Sequence, residues 1–491
     1  MVKGKMPNER APLLEDTDDD IIENGQVHSP KTDETRKAKQ HSQVPKDRFR
    51  IVYWIMVLQG VGTLLPWNMF ITAHAYFQEK LEQNKSLKHD FENYFAVAAM
   101  VPNVLMFLLN TLFKHKVRLQ VRMLTSLILM TALFVLTTAL VKVDTFSWTN
   151  DFFYITIATV IIVNMVTAVF QGGLFGLTGM MPFKYTGAVM TGQGIGGTFA
   201  ALANIAALFG GKDAISSGFG YFLSAVVVLF ICLISYILLP QLEFARYYME
   251  KPEEQNQIDA VNIQGQSKRL ANWKLDAEKG RFQSTLSLDA KTLLKVESTD
   301  GKEIQIRTNQ RPPFWKIFKQ IAPLGLSVAF VFFVTLASFP GLTSRIKSKS
   351  TAKNDWTEKY FIPVSCFLLF NVGDFIGRIF ASIFQLPRGS KLLPILCFLR
   401  VVFIPLFFFC NAQPRGENVP VLFNDDAYFI VFMVLFGISN GYLGSLCMMY
   451  GPGLVEQKDS ETAGTMMAFL LIVGLGLGAA FSFVVSALLK L

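Results

Sequence analysis

Apolar residues fall into eleven long runs separated by short polar stretches. Each run has about the length needed to cross ~30 Å of hydrocarbon as a helix. Their cores lie near 51–72, 93–113, 123–142, 152–181, 186–209, 217–241, 320–342, 360–386, 392–411, 427–450 and 463–488. The stretch 152–183 carries no charged residue and predicts one tilted helix. Two polar segments break the pattern. Residues 1–48 are polar and poor in aromatics, and predict a disordered tail. Residues 243–315 carry charges of both signs and predict a solvated linker. The expected organisation is a tail (1–48), six membrane helices (49–242), a loop (243–315) and five more helices (316–491). The fold class is therefore an all-α polytopic membrane protein with eleven transmembrane helices arranged six plus five.

Basic residues in the short loops give an orientation. The 114–122 loop has Lys114, Lys116, Arg118 and Arg122, and the 387–391 loop has Arg388 and Lys391. With eleven alternating spans, both share a side with the amino-terminal tail and the long linker. That side is expected to be cytosolic, which places the carboxyl end outside. The loop with Arg345, Lys347, Lys349, Lys353 and Lys359 falls on the other side, against the rule. Asn84-Lys85-Ser86 is an N-glycosylation sequon in the first outside loop. No apolar signal-peptide core precedes the first span, so that helix is expected to act as its own insertion signal.

Composition agrees with a membrane protein: 51% hydrophobic, 17% charged, 45 Phe and a mean hydropathy of +0.36. The net charge of +9 reads as loop charge near anionic lipid rather than a nucleic-acid footprint. All five cysteines lie inside apolar runs and all five histidines outside them. Neither a disulfide framework nor a metal site is expected, and no cofactor.

The chemistry sits inside the spans. Asn371, Asp374 and Arg378 follow i, i+3, i+7 spacing, so one helix face carries all three. A charge at bilayer depth costs at least about 2.5 to 3.5 kcal/mol, so the two ions are expected to pair or to line a wet cavity. Such a pair marks a substrate or ion pathway, or else only a buried bridge holding helices together. Gln59, Asn68, Asn103, Asn164, Gln171, Gln193 and Asn440 add polar groups on many helices. Each alone is explained by an interhelical hydrogen bond. Together they suggest a polar cavity suited to an uncharged, hydrogen-bonding solute, with Trp67 and Phe367 available to stack on a planar ring. Arg400 is a further mid-span charge with no evident partner in its own helix. Arg122 and Glu461 sit at helix ends predicted to be cytosolic, where an ion pair would close an inward mouth. Pro66, Pro102, Pro340, Pro394 and Pro405 are positions where helices are expected to break and free carbonyls. Gly192-Gln193-Gly194-Ile195-Gly196-Gly197 matches GxGxxG, but it opens a membrane span with no preceding strand. It reads as a close-packing surface rather than a nucleotide fingerprint.

Several motifs in order resemble the equilibrative nucleoside transporter family (solute carrier family 29). They are Leu64-Leu65-Pro66-Trp67-Asn68, Phe170-Gln171-Gly172-Gly173, Thr191-Gly192-Gln193-Gly194, Phe370-Asn371-Val372-Gly373-Asp374 through Arg378, Cys410 through Arg415, and Glu461-Thr462-Ala463-Gly464. The similarity covers roughly 47–489. It implies a major-facilitator-like fold and equilibrative exchange of nucleosides, with nucleobases as a further class, by alternating access. It implies that Trp67 packs near the base beside Asn68, that Leu64, Met100 and Leu475 line the apolar part of the site, and that Gln171 bonds the base edge. Asp374 and Arg378 would hold the ribose hydroxyls, with Asn371 and Phe367 beside them. Arg122 and Glu461 match a cytosolic gate pair, and Phe339-Pro340 together with Ile71 an outer constriction. Met69, Ile71 and Asn103 depart from the family's usual residues and bear on the outer gate and on base preference.

Glu9 with Leu13 and Leu14 fits the acidic dileucine pattern read by clathrin adaptors. With Pro45 through Phe49 it looks most like the lysosomal branch, so an endolysosomal membrane is expected, with the plasma membrane as the alternative. Organic-cation or monoamine transport is the competing transporter class; it calls for more cavity carboxylates than Asp374 alone. A receptor, a channel and an enzyme are the other classes. The spans show no histidine and no clustered carboxylates, so the chain is not expected to be an enzyme.

Overall fold

The computed structural model describes residues 45–72, 74–113, 117–210, 214–249, 313–350, 352, 354–387 and 392–490. Glu9, Leu13 and Leu14 lie outside them, as does most of the long linker. The described chain is helical: α1 (Ile51–Thr72), α2 (His74–Lys80), α3 (Lys85–Phe113), α4 (Leu119–Lys142), α5 (Thr149–Gly179), α6 (Phe183–Gly210), α7 (Ala214–Leu238), α8 (Phe314–Ser338), α9 (Leu369–Ile383), α10 (Leu392–Leu399), α11 (Phe403–Phe408), α12 (Asp426–Tyr450) and α13 (Ser460–Leu489). Two π-helical turns, Trp356–Tyr360 and Ile362–Leu368, lead into α9.

Among the described residues, eight helices are long and apolar enough to cross a membrane. The other three expected spans are helical as well. α3 begins ahead of its apolar run, with Lys85, Lys88, Asp90 and Glu92, and includes the apolar stretch Ala98–Phe113. The 392–411 run is split at Arg400–Val402 by a 3-10 turn and is apolar over Leu392–Phe408. Pro66 and Pro102 do not break their helices, which continue through them. The linker expected from 243 starts later: residues 243–249 are helical, and Phe244, Ala245 and Met249 are buried.

Small residues let the helices approach closely. α1 packs on α6, where a Cβ on Gly60 or Gly192 would strike the carbonyl of Val189 or Val57. The GxGxxG stretch is thus a packing surface. α9 packs on α12 in the same way, since a Cβ on Gly441 would strike the Asp374 carbonyl. The halves α1–α7 and α8–α13 meet where α6 touches α9 and where α5 touches α13. Outward faces are apolar, as on α4 (Ile128, Leu129, Val135) and α7 (Val227, Phe230, Ile231, Ile234). An apolar outer surface on helices that satisfy their own backbone is the form a bilayer requires.

The start of α1 has a specific cap. The Asp47 carboxylate accepts from the backbone N–H groups of Val52 and Tyr53, both at 3.1 Å, and from the Tyr185 hydroxyl at 2.9 Å. One aspartate therefore fixes where α1 begins and ties it to α6.

Candidate functional site

One turn separates Asp374 from Arg378 on α9, so the two side chains lie side by side. Arg378 Nε donates to Asp374 Oδ2 at 2.6 Å, and both residues are buried. Each partner is also held from another helix. Arg378 Nη1 donates to the Met190 carbonyl at 3.0 Å and to Gln193 Oε1 at 3.1 Å, both on α6. Gln193 Nε2 then donates to the Thr63 hydroxyl on α1 at 3.1 Å. On the other side, Asn440 Nδ2 on α12 donates to Asp374 Oδ1 at 2.6 Å. A continuous polar chain thus runs from α1 through α6 and α9 to α12, across both halves of the molecule. These are the expected partners of an ion pair that could not otherwise stay in the membrane.

Arg400, unpartnered in the sequence reading, joins the same chain. Its Nη1 donates to the Val331 carbonyl (2.7 Å), the Thr335 hydroxyl (3.2 Å) and Asn440 Oδ1 (3.3 Å). Its Nε reaches the Ser439 hydroxyl at 3.1 Å and its Nη2 the Phe436 carbonyl at 3.2 Å. The guanidinium also lies 4.8 Å from the Phe436 ring centroid. Neither Arg400 nor Gln193 reveals its place from spacing alone, because their partners come from other helices.

Asn371 sits one turn before Asp374. Its Nδ2 donates to the Phe367 carbonyl at 2.9 Å, and its own carbonyl accepts from Thr198 Oγ1 at 3.2 Å. Leu64, Trp67 and Asn68 on α1, Met100 on α3, Phe367 and Leu475 on α13 are half-buried. Gln171 on α5 is buried.

Two further features involve predicted site residues. At the starts of α4 and α13, Arg122 Nη2 meets Glu461 Oε1 at 3.1 Å, and Arg122 Nη1 donates to Asn110 Oδ1 on α3 at 2.8 Å. At the end of α8, Phe339 stacks on Phe370 with centroids 4.1 Å apart, while Pro340 is exposed. Ile71 is on α1 near its end; its side chain is outside the described set. Among the described residues no group of His, Cys, Asp or Glu could hold a metal ion.

Apolar-faced helices around a buried polar centre define a helical membrane protein of major-facilitator-like architecture. The human organic anion transporter MFSD10 (TETRAN) has a similar fold, with a TM-score of 0.52 at 13% identity over 91% of this chain and 96% of that one. The family model described as nucleoside transporter matches residues 157–487. The chain is 38% identical to human equilibrative nucleoside transporter 1, covering 91% of this chain and 99% of that protein. It is 39% identical to human equilibrative nucleoside transporter 2 over the same shares. It is 37% identical to rat equilibrative nucleoside transporter 3, covering 89% of each chain. The protein belongs to the nucleoside transporter family, a family of transporters and not of enzymes.

Proposed function

We propose that the protein is a facilitative carrier of nucleosides, working by alternating access, with nucleobases as a second substrate class. The observation that carries this reading is the Asp374–Arg378 pair, buried at 2.6 Å and tied to both halves of the bundle. Carboxylate and guanidinium offer an acceptor and donors for the sugar hydroxyls. Asn371 and Phe367 lie beside them, Gln171 offers its amide to the base edge, and Trp67 with Asn68, Leu64, Met100 and Leu475 borders the ring. Two buried guanidiniums against one carboxylate speak against organic cations as the main substrate.

Alternating access needs gates. Arg122 and Glu461 are the inner pair in this reading, and Phe339-Pro340 with Ile71 the outer constriction. Eleven membrane segments follow if α3, α6 and the split 392–408 helix are counted with the eight long ones. The amino end is then cytosolic, by the basic loops. Asn84 Nδ2 donates to Asn150 Oδ1 at 3.0 Å, which brings the α2–α3 turn and the start of α5 to one end. That is the outer end in this orientation, so Asn84 is available for glycosylation. Glu9, Leu13 and Leu14 would bind a clathrin adaptor and direct the protein to endolysosomal membranes, the plasma membrane being the alternative.

The test is uptake of labelled adenosine and uridine by liposomes holding the purified full chain. Saturable uptake that stops at equal concentrations, and is lost in Arg378→Ala, is the expected result. No uptake of either nucleoside would overturn the reading.

A further inference from the structure

Asn440 is the unusual member of the buried centre, because its amide orientation is dictated. Its Oδ1 accepts from the Thr335 hydroxyl at 2.7 Å and from Arg400 Nη1 at 3.3 Å. An amide oxygen held by two donors leaves only the NH2 group to face the other way. That group meets Asp374 Oδ1 at 2.6 Å. The Thr335 hydroxyl has one hydrogen to give; with Arg400 Nη1 donating to the nearby Val331 carbonyl at 2.7 Å, that hydrogen is left for Asn440. Arg400 is anchored on Phe436, Ser439 and Val331 as well, so it cannot swing away without abandoning several bonds. The backbone supports the same contact: Gly441 and Gly437 leave no side chain between α12 and the Asp374 turn of α9.

From this geometry we infer that Arg400, Thr335 and Asn440 form a positioning relay that aims the Asp374 carboxylate at the sugar hydroxyls of the substrate. Asp374 has two oxygens. Arg378 holds one and Asn440 the other, which fixes the plane of the carboxylate and directs its remaining lone pairs. Preorganised acceptors recognise hydroxyl groups more sharply than mobile ones, because no ordering cost is left at binding. The relay residues do not touch substrate. They act through Asp374, and Arg400 acts through Asn440. The inference rests on the reading of Asp374 as a sugar ligand.

The experiment compares uridine with 2′,3′-dideoxyuridine in liposomes holding the full chain, for wild type, Asp374→Asn, Asn440→Leu, Thr335→Val, Arg400→Leu and Arg400→Lys. Rates are normalised to reconstituted protein. Wild type is expected to prefer uridine, and Asp374→Asn to lose that preference. Asn440→Leu is expected to raise KM for uridine about tenfold, the size expected for losing a hydrogen bond to a charged group. Its KM for the dideoxy analogue and its maximal rate should change little. Thr335→Val, nearly isosteric, should lose discrimination in the same direction and supplies the test if Asn440→Leu does not fold. Arg400→Lys should retain more discrimination than Arg400→Leu. If Asp374→Asn loses discrimination while Thr335→Val and Asn440→Leu keep it, or raise both KM values equally, the relay is only packing. If Asp374→Asn keeps wild-type discrimination, the sugar-site reading fails and the relay falls with it.

Discussion

At the residue scale the decisive fact is that each charge of the buried centre is held by partners. Asp374 carries Arg378 and Asn440; Arg378 carries Gln193 and the Met190 carbonyl; Arg400 is surrounded by five neutral acceptors. Breaking a buried pair by removing one partner is therefore expensive. Asp374→Ala is expected to destabilise the purified protein by about 3–5 kcal/mol, read as a lowered thermal unfolding midpoint. The double variant Asp374→Leu/Arg378→Met should recover much of that loss while remaining inactive, because it removes the stranded charge. Arg378→Lys keeps the charge but not the fork that reaches Gln193 and Asp374 together. Its uptake should fall about tenfold even where the protein is as stable as wild type. The i, i+3, i+7 spacing of Asn371, Asp374 and Arg378 made this face legible in advance, since helical neighbours are determined by the chain itself. Gln193, Asn440 and Arg400 were visible only as polar residues in apolar runs. Which of them meets Asp374 depends on how α6, α9 and α12 pack.

At the scale of the element, the helices owe their positions to small residues and to one cap. Gly60 and Gly192 bring α1 onto α6; Gly377 and Gly441 bring α9 onto α12. Gly441→Val would force α12 away from the Asp374 turn, at a cost of about 1–3 kcal/mol or more. We expect reduced yield and a lower unfolding midpoint, with loss of uptake beyond what the yield explains. Asp47→Ala removes the cap of α1 and the acceptor of Tyr185. A lost cap of this type costs about 1 kcal/mol, and thermal unfolding of Asp47→Asn beside Asp47→Ala would separate capping from charge. Most helices were legible as apolar runs. Their ends were less so: α3 has a charged first third, the 392–411 run is split at Arg400–Val402, and the helical residues 243–249 extend into what reads as linker. In each case local polarity competes with packing, and packing sets the boundary.

At the scale of the whole molecule, two halves must move past each other around a central site if the carrier reading holds. The Arg122–Glu461 bridge joins α4 to α13 at one end, and Asn110 on α3 supports it. Because Glu461 is partly exposed, the bridge itself contributes only about 1 kcal/mol or less. That is still a several-fold bias between two states of similar energy. Glu461→Ala is expected to raise the maleimide reactivity of a cysteine placed at Thr462 severalfold. The swap Arg122→Glu/Glu461→Arg should return it toward the starting value. Reactivity that ignores both changes would remove the pair from the gate.

The order of apolar runs, the long polar linker and the paired charges on one helix face are properties of consecutive residues. For these the chain alone was sufficient: it determined a helical membrane protein and a polar centre on α9. The family motifs are local strings and were equally readable. Tertiary structure decided what faces what. Asn440 aims at Asp374 because Thr335 and Arg400, from separate helices, occupy its other side. Hydrogen bonds between helices far apart in sequence have no period to betray them, and only the packed bundle brings their donors and acceptors within 3 Å or so of each other.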